Sequence, residues 1–425
     1  MARIAQSLSS AALLSLLAAA PALAGDLYFP PRGPEWKTVA PRQAGWDPEA
    51  LDKALRLAGE RRSTAVVILY EGRILAERYW DPGRPQPGGG LRANRYYFTL
   101  RGKDSAGRPI EDVASVQKSV LAQLVGIAQH RGLVKISDPV SLYLGRGWTK
   151  APAGAEVQIT IRHLLTMTSG LNEQLEFEAP AGAKWRYNTS AYARLAEVLE
   201  AVTHKHRNEF TREWLTRPIG MDDSQWIVRP WAQSRRTANR YGFATTARDL
   251  ARFGLLILAG GRWRGKQVLP DPQYLRASLS PSQDLNPSYG YLWWLNGQPF
   301  SVRGTRRVPG PFIPTAPNDL VAALGALGRK LYVVPSLHLV VARLGKAPNV
   351  PGAKRFDTVF WRLLMAAAPG HKARWNHGFR LAPVPSPRNS SSVFSFAALE
   401  ACSFATEARN PHPKSRDSAV KAGSR

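Results

Sequence analysis

Two side chains in the stretch DVASVQKSVLAQLVGIAQH (112–130) could do covalent chemistry together. A serine hydroxyl is a weak nucleophile at neutral pH and needs a base within hydrogen-bond reach. Residues three apart on a helix share a face, so Ser115 and Lys118 can meet without help from the rest of the chain. At a helix N-terminus Ser115 would also lie beside free backbone N–H groups and the positive end of the dipole. Those groups suit the oxyanion formed on an attacked carbonyl. Burying Lys118 beneath the apolar run VLAQLVGIA would lower its pKa toward a useful range. The same residues also fit a helix cap followed by a surface lysine. Spacing alone does not separate the two, because S-x-x-K recurs as SAVK at 418–421 with no strand-to-helix context.

Other chemistry-bearing residues point nowhere as sharply. His163 in IRHLL reads as structural. The HKH at 204–206 lacks acidic or cysteine companions at metal-ligand spacing, and no H-E-x-x-H is present. If Trp293 and Trp294 lie in a strand they face opposite ways, one toward the core and the other toward a pocket.

The elements that would position Ser115 can be read from periodicity and caps. DPEALDKALRLAGER has helical spacing with Asp47 as N-cap, and TAVVILYEGRILAERYW reads as two strands around the turn EGR. A helix is expected over 115–131. The middle of the chain is helical in pattern, in TIRHLLTMTSGL, SAYARLAEVLEAVT and TTARDLARFGLLILAGG, the last opened by Thr246 and Asp249 in capping positions. Strand-like runs return beyond 285 as SYGYLWWLN, LVAALGAL, RKLYVVP and LHLVVARLG, and KRFDTVFWRLLMAAA closes with helical spacing. Strands at both ends with helices between predict an α+β fold: an antiparallel sheet made by the N- and C-terminal parts, flanked by helices, with a mostly helical insertion over about 135–285.

Composition bounds the setting. The 425 residues, 44% of them hydrophobic, suffice for a sizeable core. Residues 1–24 read as a signal peptide: Arg3, the short apolar run AALLSLLAAA, then ALA before Gly25. No other segment has the length of a transmembrane helix, so a periplasmic or secreted protein without a membrane anchor is expected after cleavage. The one cysteine, Cys402, allows no internal disulfide. One folded domain is expected over 25–380, and the Pro/Ser-rich stretch 381–425 as a flexible tail. The net charge of +27 is spread in short groups such as QSRRTANR, with no nucleic-acid motif. Nucleic acid is therefore not an expected partner; the charge reads as solubilising, with weak attraction to anionic envelope surfaces as the alternative.

Four blocks in order, DVASVQKSVLAQLVGIAQHRGLVKISDPVSLYL, ITIRHLLTMTSGL, KWRYNTSAYARLAEVLEAVT and LTRPIGMDDSQW, together resemble the serine β-lactamase-like superfamily. The likeness runs from about 64 to 366 and is nearest the class C β-lactamases with their related D-alanyl-D-alanine carboxypeptidases, esterases and 6-aminohexanoate-dimer hydrolases. It implies Ser115 as acylated nucleophile, Lys118 as its neighbouring base, and Tyr187 of YNT (187–189) as the base that relays the serine proton and later activates water. The family's Tyr-x-Asn is altered here: Asn188 stands in the middle and Thr189 takes the usual asparagine place, which leaves the substrate-amide contact of these two residues open. The third motif, Lys/His-x-Gly on a strand, is matched to Ala326-Leu327-Gly328, so that Gly328 would admit substrate and the N–H of Arg329 would join that of Ser115 as oxyanion donor. Alanine in place of the motif's cation argues against substrates carrying a carboxylate, unless Arg329 or Lys330 compensates. The resemblance implies hydrolysis of a small-molecule or peptide-like ester or amide without metal or organic cofactor. A D,D-carboxypeptidase, a β-lactamase and an inactive envelope-ligand-binding protein are the alternatives.

Overall fold

The computed structural model describes residues 27–89, 94–229, 232, 240–349 and 352–370. The expected signal peptide, the 381–425 tail with Cys402, and the second S-x-x-K all lie outside the described residues.

Helix α1 (Pro48–Glu60) begins as its sequence demands. Asp47 accepts from the N–H groups of Glu49 and Ala50, and Pro48 fills the first position, where a missing N–H is no loss. Strand β1 (Ser63–Tyr70) is buried along nearly its whole length, the mark of a strand covered on both faces. It turns at Glu71 and Gly72 into β2 (Arg73–Tyr79). The chain continues through β3 (Leu100–Lys103), β4 (Pro109–Asp112), α2 (Gln117–His130) and α3 (Thr189–Thr203). There follow β5 (Gln225–Val228), β6 (Tyr241–Thr245) and α4 (Ala247–Leu258). Last come β7 (Trp294–Leu295), β8 (Val321–Gly325), β9 (Arg329–Val334), β10 (Leu339–Gly345) and α5 (Phe356–Ala367).

The main sheet has the order β2-β1-β10-β9-β8-β7 and every neighbour is antiparallel. The N- and C-terminal parts therefore meet at β1 and β10, with Val66 opposite Arg343 and Tyr70 opposite Leu339. This is the expected α+β fold. Alternation along β9 sends its side chains to opposite faces. Leu331 packs beneath α4, where Gly254 leaves no room for a Cβ against Leu331 and Val340. Tyr332 points the other way, its hydroxyl bonded to Asp357 and its ring edge-on to Trp361 of α5 at 5.3 Å. The sheet is thus a layer between α4 and the α1–α5 pair.

One expectation is refined and one needs correcting. The mostly helical segment 135–285 is not helical throughout. Residues 225–228 and 241–245 form strands of a second sheet, ordered β3-β4-β6-β5, and α4 belongs to the main sheet layer. Nor does Ala326-Leu327-Gly328 lie on a strand. It is the tight turn between β8 and β9, with Leu327 at φ +59° and Gly328 at φ +72°, both outside the strand region.

Candidate active site

Strand β4 delivers the chain to Ser115. Asp112, at its end, accepts a hydrogen bond from Ala114 N–H at 2.9 Å and a two-pronged ion pair from Arg229, 2.7 and 3.1 Å. Arg229 holds the buried Asp112 carboxyl below its ordinary range, outweighing desolvation. Gly242 is required beside this pair, because a Cβ there would overlap the carboxylate. The chain then passes through Ala114 at φ +50°, a left-handed conformation that costs a non-glycine residue about 1–3 kcal/mol. The 3₁₀ turn Ala114–Val116 runs directly into α2. Of residues 111–128, Ser115 alone is not buried.

Lys118, only 2% exposed, places Nζ 3.1 Å from Ser115 Oγ and 3.5 Å from Thr189 Oγ1. Its ammonium lies 4.1 Å from the Tyr192 ring centroid and 4.9 Å from that of Tyr187. Burial pushes its pKa down to about 7, an effect that Glu173 opposes and Arg229 reinforces. The lysine can therefore be neutral near physiological pH. It can take the serine proton, which no surface lysine could do to the same extent.

Tyr187 lies at the entrance to α3, half-buried, stacked on Trp294 with ring centroids 6.2 Å apart and edge-on to Tyr289. Trp294 in turn stacks on Phe312 at 4.8 Å. Asn188 does not face the cleft. It is the N-cap of α3, its Oδ1 accepting from Ala191 N–H, while its amide donates to the carbonyls of Leu171 and Asn172. Thr189, in the position expected for asparagine, is buried beside Lys118, and its N–H donates to Glu173 at 2.9 Å.

The cleft over Ser115 is lined by Tyr187, Trp294, Phe312 and Leu324, then by Gly325, Ala326 and Gly328, with Lys330, Pro348 and Asn349 at its edge. Arg329 does not line it. Its side chain is fully buried in an ion pair with Glu111 at 3.1 Å, so it offers no cation to a substrate. Lys330 does reach the cleft, but both oxygens of Asp357 hold it at 2.9 and 3.0 Å. The close approach to the serine is made by Gly325, not Gly328: a Cβ on Gly325 would lie 2.2 Å from Val113 O and 3.3 Å from Ser115 N. Gly328 instead packs on Pro348 and Arg343.

Sequence reasoning thus missed Gly325, Phe312, Glu173 and the Asp112–Arg229 pair. Gly325 did leave a signal, because ALG occurs twice in succession at 323–328. Among the described residues no group of three or more His, Cys, Asp or Glu is placed to hold a metal, and no helix is long and apolar enough to cross a membrane.

The family model described as Beta-lactamase matches residues 37–364. The chain belongs to the Beta-lactamase family. Membership makes it a serine hydrolase of that superfamily and agrees with the fold. A related protein, BpOF4_21049 of Alkalihalophilus pseudofirmus, described as uncharacterized, is 27% identical over 66% of this chain and 82% of its own. The D-alanyl-D-alanine-carboxypeptidase/endopeptidase AmpH of Escherichia coli is 24% identical over 33% of this chain, which spans less than half of that enzyme (43%). Among solved structures, a Bacillus anthracis protein named provisionally as a 6-aminohexanoate-dimer hydrolase superposes with a TM-score of 0.57 at 15% identity, over 82% of this chain and 90% of its own. EstCE1, a hydrolase with promiscuous acyltransferase activity, superposes at 0.53 and 15% identity, over 74% of this chain and 98% of its own. At such identities the structural likenesses establish the fold.

Proposed function

We propose that this protein hydrolyses an uncharged ester or amide with an apolar acyl group through an acyl-enzyme on Ser115. The observation that carries the reading is Lys118 Nζ, buried, 3.1 Å from Ser115 Oγ with its pKa lowered to about 7. Neutral Lys118, with Tyr187, takes the serine proton as Oγ bonds to the substrate carbonyl carbon. The oxyanion is met by the N–H of Ser115 and that of Ala326, the residue after Gly325, rather than that of Arg329. Tyr187 passes the proton to the leaving group, and the same bases then deprotonate the water that releases the acid.

The cleft's chemistry supports an uncharged substrate. Its apolar lining includes Trp294, Phe312, Leu324 and Pro348, and its one lining cation among the described residues, Lys330, is paired with Asp357. With strand β8 in register, Ala323 and Leu324 occupy the motif positions before Gly325, so a cation is missing there as well. These features disfavour penicillins and peptides that end in a free carboxylate. Export to the periplasm or beyond is part of the proposal and rests on the pattern in residues 1–24.

Intact-mass analysis tests the reading on wild type and Ser115→Ala. Wild type should gain one adduct with an alkyl fluorophosphonate, lost in the variant, and none with a penicillin. A stable or slowly turned-over penicillin adduct would move the substrate class toward carboxypeptidase or β-lactamase. No adduct with either reagent on folded protein would leave the inactive binding protein.

A further inference from the structure

The two N–H groups assigned to the oxyanion lie on different elements: Ser115 follows β4, and Ala326 opens the turn between β8 and β9. Their separation must be set by whatever joins these elements. One buried ion pair does so. Glu111 of β4, four residues before Ser115, binds Arg329 at 3.1 Å, and neither side chain has any solvent exposure. The same guanidinium donates through Nη1 to Ala326 O at 3.3 Å and through Nη2 to Thr99 Oγ1. Glu111 is held in its own place by Thr64 and Tyr96 hydroxyls and by Gly345 N–H. A second buried guanidinium grips the far side of the turn. Arg343 Nη1 donates to Gly328 O at 2.6 Å and Leu327 O at 3.5 Å, while its other nitrogens bond Ser63 Oγ and the carbonyls of Arg61 and Lys346. All three carbonyls of a turn with two left-handed residues are therefore held by buried arginines.

We infer that the Glu111–Arg329 pair, backed by Arg343, is the positioning device that fixes the gap between the two oxyanion donors. The inference rests on the proposed Ser115 acyl-enzyme with Ala326 as second donor. Neither arginine touches substrate; each acts through the turn. An arginine suits the task because its planar fork reaches a carboxylate and a carbonyl at once, which the compact point charge of an ammonium does not.

The test uses the full chain and a p-nitrophenyl ester. Arg329→Lys keeps a cation for Glu111 and loses the bond to Ala326 O. Removing one oxyanion donor costs on the order of 100- to 1000-fold in kcat, so a displaced donor should cost about 10-fold or more, with KM within about 3-fold. Should that variant fail to fold, Glu111→Gln with Arg329→Met removes both charges together and carries the same expectation. Wild-type kcat in either folded variant overturns the inference. A fluorophosphonate adduct on wild-type Ser115 keeps that outcome separate from failure of the acyl-enzyme reading; with no adduct, both fall.

Discussion

Replacing Lys118 with methionine should remove activity and, below neutral pH, strengthen the fold. In the native protein the lysine titrates at about 7 against an ordinary 10.5, because burial disfavours its charged form. A depressed lysine pKa destabilises the native state wherever the unfolded chain binds the proton and the native one resists it. The penalty is complete below pH 7, falls as pH rises from 7 to 10.5, and vanishes above that. With 1.36 kcal/mol per unit, it is about 5 kcal/mol at pH 6, about 3 at pH 8.5 and under about 1 at pH 10. Methionine also loses the contact to Ser115 and changes packing, but those terms do not vary with pH. Guanidinium unfolding of wild type and Lys118→Met at pH 6 and pH 10 should therefore show a stability difference that moves by about 4 kcal/mol between the two, with methionine favoured at pH 6. The same titration should give wild-type kcat/KM an acid limb centred near pH 7, falling about tenfold per unit below it. A stability difference that is flat with pH would show that Lys118 is not depressed, and would remove it as the base.

Further outcomes follow from neighbouring residues. Tyr187→Phe keeps the stack on Trp294 and loses the hydroxyl, so kcat for an ester should drop by about 100-fold or more while KM changes little. Gly325→Ala places a methyl 2.2 Å from Val113 O, and should lower both fluorophosphonate labelling of Ser115 and thermal stability; unchanged labelling would count against the close approach. Glu173→Gln removes the charge that supports the Lys118 ammonium, so the acid limb of kcat/KM should move to lower pH, with some helix stability lost at the α3 cap. Arg229→Met should shift that limb the opposite way and destabilise the fold by about 3–5 kcal/mol, since it leaves Asp112 buried without its cation.

Much of the local structure was legible because it depends on neighbours in the chain. Asp47, Thr246 and the apolar spacing after each mark helix starts without reference to anything distant, and the β-branched run TAVVIL can hardly avoid a buried strand. Ser115 and Lys118 were legible for the same reason: three residues on one helix fix their meeting. The short strands at 225–228 and 241–245 carried no such signal, since the pairing of β6 with β4, and of β5 with β6, is a matter of long-range register.

The third motif shows where chain-local reasoning ends. ALGALG offers two equivalent matches, and nothing in composition or spacing prefers 323–325 over 326–328. The choice is made by the antiparallel register of β8 against β9, which brings Gly325 to the serine and turns 326–328 into a hairpin bend. Arg329 then points into the interior toward Glu111, 218 positions earlier in the chain, instead of toward substrate. By itself, then, the sequence determined that Ser115 and Lys118 meet and which elements carry them, because these are set within a turn or two of helix. Only the tertiary structure decided which glycine lies against the serine, which cations are already paired, and how far Lys118 is depressed. Each of those depends on groups that meet only when the sheet closes.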